Sequence, residues 1–503
     1  MKRLLACGRV VGFAVAISGL GAVAAADAAT EIVNVRVVDV RNGSISEPSL
    51  VRIENGRIEA ISRLPDGREK TGDFIDGTGK YLVPGFWDMH AHVNNGVLAS
   101  EWMFPLLVAY GVTGVRDMLG DCWAPGCDEN IDHLREVQAA IASGAVIGPR
   151  ILAIGSDLVG GPRAAYEGLP EWAAPLTGDQ GRKLADIAQE RGVDFIKVYD
   201  TLPRKAWFAL MAEARRIGIP VAGHVPKSVS MLEAIEAGQI SIEHAKYPAI
   251  DCSAFAPVFR GVFSRWAAGE SAWIYGSWAD DPAGTHNLGG YYQHVLASFD
   301  GELCEHIISE FAASDAYYVP TLITRRFEAL ADDAAFLDDA RLGFVPQKLR
   351  EEWQADSDAY KEQFGDPAEK HAYLEFYRLA RRLVGDIHRA GVPVLIGTDT
   401  PDSYSFPGSG YHEELLQMQA AGLSNTDILR AATYDAAEVL GMEDFFGSVD
   451  VGKVADMVLL EANPVADIAN ASRIAGVFLE GRFLDARMLQ GLRDRARSFA
   501  AEH

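Results

Sequence analysis

Eight short apolar stretches, most of them followed by a helix-patterned stretch, constrain this chain more than any other feature. They fall at residues 85–92, 113–117, 150–154, 194–199, 220–224, 240–244, 317–321 and 393–399. Residues 183–191, 205–217, 231–237 and 380–390 between them carry apolar side chains at helical spacing. Gly111, Gly192, Gly218 and Gly391 stand just ahead of the next stretch, where a left-handed residue closes a helix. Strands alternating with helices predict a parallel sheet, and eight such units predict an α/β fold, a closed (β/α)8 TIM barrel over residues 84–445.

The flanks read differently. Residues 31–82 alternate Val/Ile runs with turns such as Asn42-Gly43, Asn55-Gly56 and Asp76-Gly77, and residues 446–484 do the same. These are hairpin signatures. They predict one small β-sandwich domain built from both chain ends, residues 30–83 and 446–490. Two insertions, 246–300 and 324–370, interrupt the barrel rhythm. The first holds Trp266, Trp273, Tyr275, Trp278, Tyr291 and Tyr292; the second is acidic and helix-like. Loops that follow barrel strands cover the active face, so these segments are either lids and substrate walls or rim packing.

With 503 residues and 49% hydrophobic composition, the chain can bury a large core. Its 70 acidic against 46 basic residues give a net charge of -24, which repels nucleic acid and anionic membranes. The expected partner is a small-molecule substrate, with a homo-oligomer left open. Lys2, Arg3 and Arg9 precede and flank an apolar run that ends in the small residues 24–29. This pattern predicts a secretory signal peptide over residues 1–29, hence an exported protein, periplasmic or secreted, without membrane attachment after cleavage. A membrane anchor is the alternative, but about 17 apolar residues are marginal for a span. Cys122, Cys127, Cys252 and Cys304 remain beyond that segment. Export permits the pairs 122–127 and 252–304, and four thiols are the other option.

The chemistry-bearing residues follow the barrel rhythm. His90 and His92 are two apart, so on a strand they share a face and can grip one cation. Lys197, His224, His244 and Asp399 each lie at or near the C-terminal end of a later strand, the end where barrel enzymes place their chemistry. Taken singly, each has a plain structural reading: a hydrogen-bonded core histidine, a loop-capping aspartate, a paired lysine. Their shared placement across five strands points to a metal site. Imidazole and carboxylate donors suit zinc, with cobalt, manganese, nickel and iron as alternatives. Six donors exceed one open tetrahedral site, which points to two divalent metal ions.

The stretches Pro84-Gly85-Phe86-Trp87-Asp88-Met89-His90-Ala91-His92, Phe195-Ile196-Lys197-Val198-Tyr199, Ala222-Gly223-His224, Ile242-Glu243-His244 and Gly397-Thr398-Asp399-Thr400 together resemble the amidohydrolase superfamily. So does Gly452-Lys453-Val454-Ala455-Asp456-Met457-Val458-Leu459-Leu460. Within it, the chain is most similar to the imidazolonepropionase-like branch that contains Xaa-Pro and Xaa-Arg dipeptidases and ochratoxin-type amidases. The lysine setting and the stretch 431–441 carry that similarity. The resemblance implies that His90, His92 and Asp399 hold one metal, that His224 and His244 hold the second, and that a carboxylated Lys197 bridges them. An ammonium has no lone pair to donate; a carbamate does. It also implies that Asp399 is catalytic, passing a proton from the attacking water to the leaving nitrogen.

Tyr199, two residues from Lys197, is expected to face the substrate, as are His412 after strand eight and Arg325 after strand seven; each has a rim-packing alternative. No Gly-x-Ser-x-Gly elbow is present. The expectation is a metal-dependent amidohydrolase cleaving the C–N bond of a dipeptide or N-acyl amino acid. The alternatives are a hydrolase of a lactone, phosphoester or cyclic amidine on the same centre, and a barrel that only binds.

Overall fold

The computed structural model describes residues 29–63, 74–93, 98–127, 130–166, 168–270, 288–364 and 366–503. Residues 1–28 of the expected signal peptide lie outside the described residues, as do Trp273, Tyr275 and Trp278.

Seven parallel strands alternate with helices: β1 (Phe86–Ala91), β2 (Val112–Asp117), β3 (Arg150–Ile154), β4 (Ile196–Val198), β5 (Val221–Gly223), β6 (Ser241–Glu243) and β7 (Tyr317–Val319). Nearly every residue in them is buried, as expected of strands covered on both faces. Regular ladders join β1 to β2 to β3, β4 to β5, and β6 to β7. Irregularly spaced hydrogen bonds link these groups. Val159 N donates to Lys197 O, and Ile240 N donates to Val221 O. The Gln239 side chain adds donors to Gly223 O, His224 O and Ser241 O, where the ladder between β5 and β6 is thin.

The eighth stretch, 393–399, is less regular than its sequence promises. It pairs with β7 through Tyr318 N to Pro393 O and Leu395 N to Tyr318 O, and with β1 through Met89 N to Ile396 O. Beyond that point the buried Asp88 carboxylate takes the Thr398 N–H and hydroxyl, and the strand pattern stops. Gly397 is required there: a Cβ would sit 2.8 Å from His90 Cβ.

The helices end where the glycines predict. Gly178–Arg191 and Arg204–Ile217 close on Gly192 and Gly218 at φ 82° and 83°. Met231–Ala237 matches its expected bounds, whereas the expected helix at 380–390 is the end of a longer one, Pro367–Arg389. Both insertions are largely helical among the described residues. They pack on that long helix, with the Tyr292 and Phe376 rings stacked 3.9 Å apart.

Both chain ends meet in one hydrogen-bonded sheet of nine strands. Met457 pairs with Pro84 and Leu460 with Tyr81, so the returning C-terminal strand lies beside the strand that leads into β1. Ser49–Glu54 alternates buried and half-buried residues, the period of a strand with one covered face. Ile32, Val51, Ile53, Leu82, Leu459 and Phe478 form a small separate core there. No helix among the described residues is long and apolar enough to cross a membrane.

Candidate metal centre

The six expected donors come together at the C-terminal ends of the strands. His92, Lys197, His224, His244 and Asp399 line one cavity of about 550 Å³. His90 sits buried at its base. His90 Nε2 is 3.0 Å and His92 Nε2 2.7 Å from Asp399 Oδ1. Lys197 Nζ is 3.2 Å from His90 Nε2. His224 Nε2 and His244 Nε2 are 3.0 Å apart, and donor atoms of His90, His244 and Asp399 all lie within 4.8 Å of one another.

Local backbone shape makes this convergence possible. His244 (φ 68°) and Asp399 (φ 61°) occupy the left-handed region, which disfavours L-residues by roughly 1–2 kcal/mol. The turn at His244 breaks strand alternation, so Glu243 and His244 both reach the interior. Gly223 clears the path of Lys197: a Cβ there would sit 2.8 Å from Lys197 Cδ.

Outer contacts orient the rings. Glu243 Oε2 is 2.8 Å from His90 Nδ1, and Thr321 Oγ1 is 2.8 Å from His244 Nδ1. With Nδ1–H donated outward, each ring presents an Nε2 lone pair to the cavity. Glu243 is itself held by Arg116 at 2.7 Å, and Arg116 also donates to Met89 O and Tyr317 Oη. Burial opposes the Glu243 charge, but the Arg116 guanidinium keeps its pKa low.

These contacts fit a cation. His224 Nε2 and His244 Nε2 face each other at 3.0 Å, near the about 3.4 Å between two nitrogens sharing one tetrahedral ion at about 2.1 Å each. His92 Nδ1 and His224 Nδ1 are buried without a hydrogen-bond partner among the described residues. Burial lowers the pKa of His92, His224 and His244, so these rings are neutral at pH 7 and free to donate a lone pair. Burial alone would raise Asp399, but His90 and His244 hold its carboxyl well below the usual range. Burial brings the Lys197 amine down to about 8. Burial and the Asp399 charge push Asp402, on the same wall, up to about 7.

The three expected substrate residues separate. Tyr199 lines the cavity and stacks on His224 with ring centres 4.5 Å apart. Arg325 lines it too, paired with Glu328 at 2.5 Å. His412 does not. Its Nε2 meets Tyr110 O at 2.9 Å and its ring sits edge-on to Phe86, at the opposite end of β1. On the helix Ser409–Ala421, His412 packs against Tyr110 and Phe86, away from the cavity.

Sequence reasoning passed over Asp88, Arg116, Asp117 and Glu243. All are fully buried charges on strands, and a charged residue inside an apolar strand was the available signal. It left the cysteines open; the structure pairs Cys122 with Cys127 and Cys252 with Cys304.

A strand-ordered α/β core, a β-domain from both termini and a histidine–carboxylate centre define the class of protein. Residues 380–484 match the amidohydrolase family model. Among solved structures the chain is similar to a bottromycin amidohydrolase (TM-score 0.68, 25% identity, 93% of this chain and 90% of that one). It also has the fold of a Xaa-Pro dipeptidase (TM-score 0.61, 19% identity, 91% of this chain and 100% of that one). Curated relatives match over shorter stretches. An adenine deaminase of Desulforamulus reducens is 37% identical over 82 residues, 16% of this chain and 13% of the relative. An imidazolonepropionase of Syntrophobacter fumaroxidans is 34% identical over 108 residues, 20% of this chain and 23% of the relative. The chain thus matches less than a quarter of the length of either.

Proposed function

We propose that this protein is a metal-dependent amidohydrolase that cleaves the C–N bond of a small amide, a dipeptide or an N-acyl amino acid. The observation that carries the reading is the convergence of His90, His92, Lys197, His224, His244 and Asp399 on one cavity. We read the eight parallel stretches as a closed (β/α)8 barrel and the terminal sheet as its small sandwich domain. His90, His92, His224, His244, Asp399 and Lys197, carboxylated at Nζ by carbon dioxide, are the groups that hold two divalent ions, zinc foremost. Bound there, the ions polarise a carbonyl and acidify water.

The chain's own groups do the rest. Asp399, kept ionised by its histidine neighbours, takes a proton from the attacking water. The water oxygen bonds to the carbonyl carbon, the C–N bond breaks, and Asp399 returns the proton to the leaving nitrogen. Glu243 and Thr321 fix the tautomers of His90 and His244. Tyr199 and Arg325 form the substrate wall. Export also belongs to this reading, supported by the charged, apolar N-terminus and by two disulfides, which persist in oxidising compartments.

The test is turnover by zinc-reconstituted protein of dipeptides and N-acyl amino acids, set beside lactones and phosphotriesters, with His224→Ala as control. Amide cleavage lost in the control supports the reading. Preferred turnover of lactones or phosphotriesters, or equal activity in His224→Ala, overturns it.

A further inference from the structure

The helix Leu322–Leu330 follows β7 and carries two contacts of the site: Thr321 at its head, with Oγ1 2.8 Å from His244 Nδ1, and Arg325 on the cavity wall. A helix leaves its first backbone N–H groups unpaired, and a threonine ahead of it ordinarily turns its hydroxyl onto them from an extended backbone. Thr321 does neither. Its backbone is left-handed, at φ 43° and ψ 55°, and its side chain makes no capping hydrogen bond. The His244 ring engages the hydroxyl instead.

A residue 92 positions away supplies the missing cap. Glu414, on the helix Ser409–Ala421, accepts the Leu322 N–H at Oε1 (2.8 Å) and the Ile323 N–H at Oε2 (2.9 Å). Glu414, Thr321 and Leu322 are completely buried. Glu413, one residue earlier, shows the usual role of a glutamate between these helices: it is half-buried and pairs with Arg326 at 3.6 Å and Arg341 at 2.8 Å. Glu414 has no cation to pair with among the described residues, and burial pushes its carboxyl up to about 8 against the pull of the two amides. Burying such a group is unfavourable unless its hydrogen bonds are made, and both of them go to this helix end.

We infer that Glu414 is a positioning residue of the metal centre: it caps the helix Leu322–Leu330 from outside and so frees the Thr321 hydroxyl to hold the His244 ring. The inference rests on the metal centre of the hydrolase reading and deepens it with a residue outside the cavity wall. Without Glu414, two buried N–H groups lose their acceptors, which is costly. Thr321 answers by relaxing to the extended backbone of an ordinary cap and turning its hydroxyl onto them, which also relieves its left-handed conformation. The His244 Nδ1–H then loses its acceptor, and its Nε2 lone pair is no longer fixed toward the cavity.

Zinc affinity, measured by competition with a chelator, reads this apart from turnover. Glu414→Met, with its fold checked by circular dichroism, removes both acceptors and should weaken zinc about tenfold to a hundredfold. Glu414→Gln keeps one acceptor and should recover part of the loss; where Glu414→Met does not fold, it carries the same test with a smaller expected effect. Thr321→Val should weaken zinc as much as Glu414→Met, and the double variant no further, because both act through one hydrogen bond. Glu413→Gln loosens the same pair of helices without uncapping either and should leave zinc affinity unchanged. Unaltered affinity in the Glu414 variants, losses that add in the double variant, or an equal loss in Glu413→Gln overturns the inference; the last outcome marks a merely structural attachment. A wild type that binds no zinc overturns it as well. Coupled losses of zinc affinity, with no amide cleaved by the wild type, keep the inference and sink the hydrolase reading. Amide cleavage by the wild type, with zinc affinity unaltered in the Glu414 variants, does the reverse.

Discussion

The two ends of strand β1 use the same kinds of residue to opposite effect. At its C-terminal end, His90 and His92 face Asp399, Lys197 and two more histidines around a cavity. At its N-terminal end, Phe86 packs against His412, whose ring meets a backbone carbonyl. Both regions bury imidazoles. The mouth gathers polar atoms that satisfy one another poorly and bends His244 and Asp399 into the left-handed region. The floor holds a single ring, with Nε2 on the Tyr110 carbonyl and Nδ1 without a partner among the described residues. Neither burial of a histidine nor an unpaired ring nitrogen therefore marks a site; convergence of several rings on shared empty space, with backbone strain beside them, does.

The hardest test of this contrast is His224→Ala. At the mouth we expect loss of activity by at least about 10⁴-fold, some 5 kcal/mol in the barrier, in steady-state assays of zinc-loaded protein. Unfolding of the metal-free variant should need as much urea as the wild type or more, because two facing Nε2 atoms are no longer confined together. A metal-free variant clearly less stable than wild type would mean that the mouth is built like the floor.

Arg116→Met probes the layer beneath the mouth. It leaves Glu243 buried without its cation, so about 4 kcal/mol of stability should disappear. Zinc affinity should fall about tenfold to a hundredfold as His90 loses its orientation. Urea unfolding and zinc titration read the two separately; unchanged zinc affinity would detach this layer from the metal centre.

Removing the disulfide that closes 52 residues of the first insertion, by Cys252→Ala with Cys304→Ala, should cost about 3 kcal/mol. Thermal unfolding checks it. No loss would show that the segments it joins are held by packing alone.

The smallest effect belongs to the floor. Burial lowers the His412 ring to about 4, below the usual value of about 6.5. Between those values the unfolded chain binds more protons than the folded one. The neutral ring's contribution is thus complete above about pH 6.5 and is lost as pH falls toward about 4. We expect about 2 kcal/mol of acid destabilisation from this residue, less than the full interval gives because the ring is half-buried. His412→Gln should flatten urea midpoints across that range; an unchanged pH slope would place the proton elsewhere.

Much of this was legible beforehand. Strand positions, the helices closing on Gly192 and Gly218, the hairpins of both termini and the six side chains that gather at one cavity were all readable, because periodicity of 2 or 3.6 and turn chemistry act over a few residues. His412 misled for the same reason: sitting soon after strand eight says nothing about which face of the next helix it occupies. Asp88 was hidden by its neighbours, since its partner Thr398 is 310 positions away.

The sequence alone determined the alternation of strands and helices and which residues could donate to a metal, since both follow from local side-chain chemistry. Tertiary structure decided that His92 meets Asp399 across 307 positions, that Cys252 finds Cys304, that Glu414 reaches the Leu322 N–H across 92 positions, and that His412 packs against Tyr110 and Phe86. Those contacts depend on how the strands close and how the helices rotate against them, and no local signal encodes either.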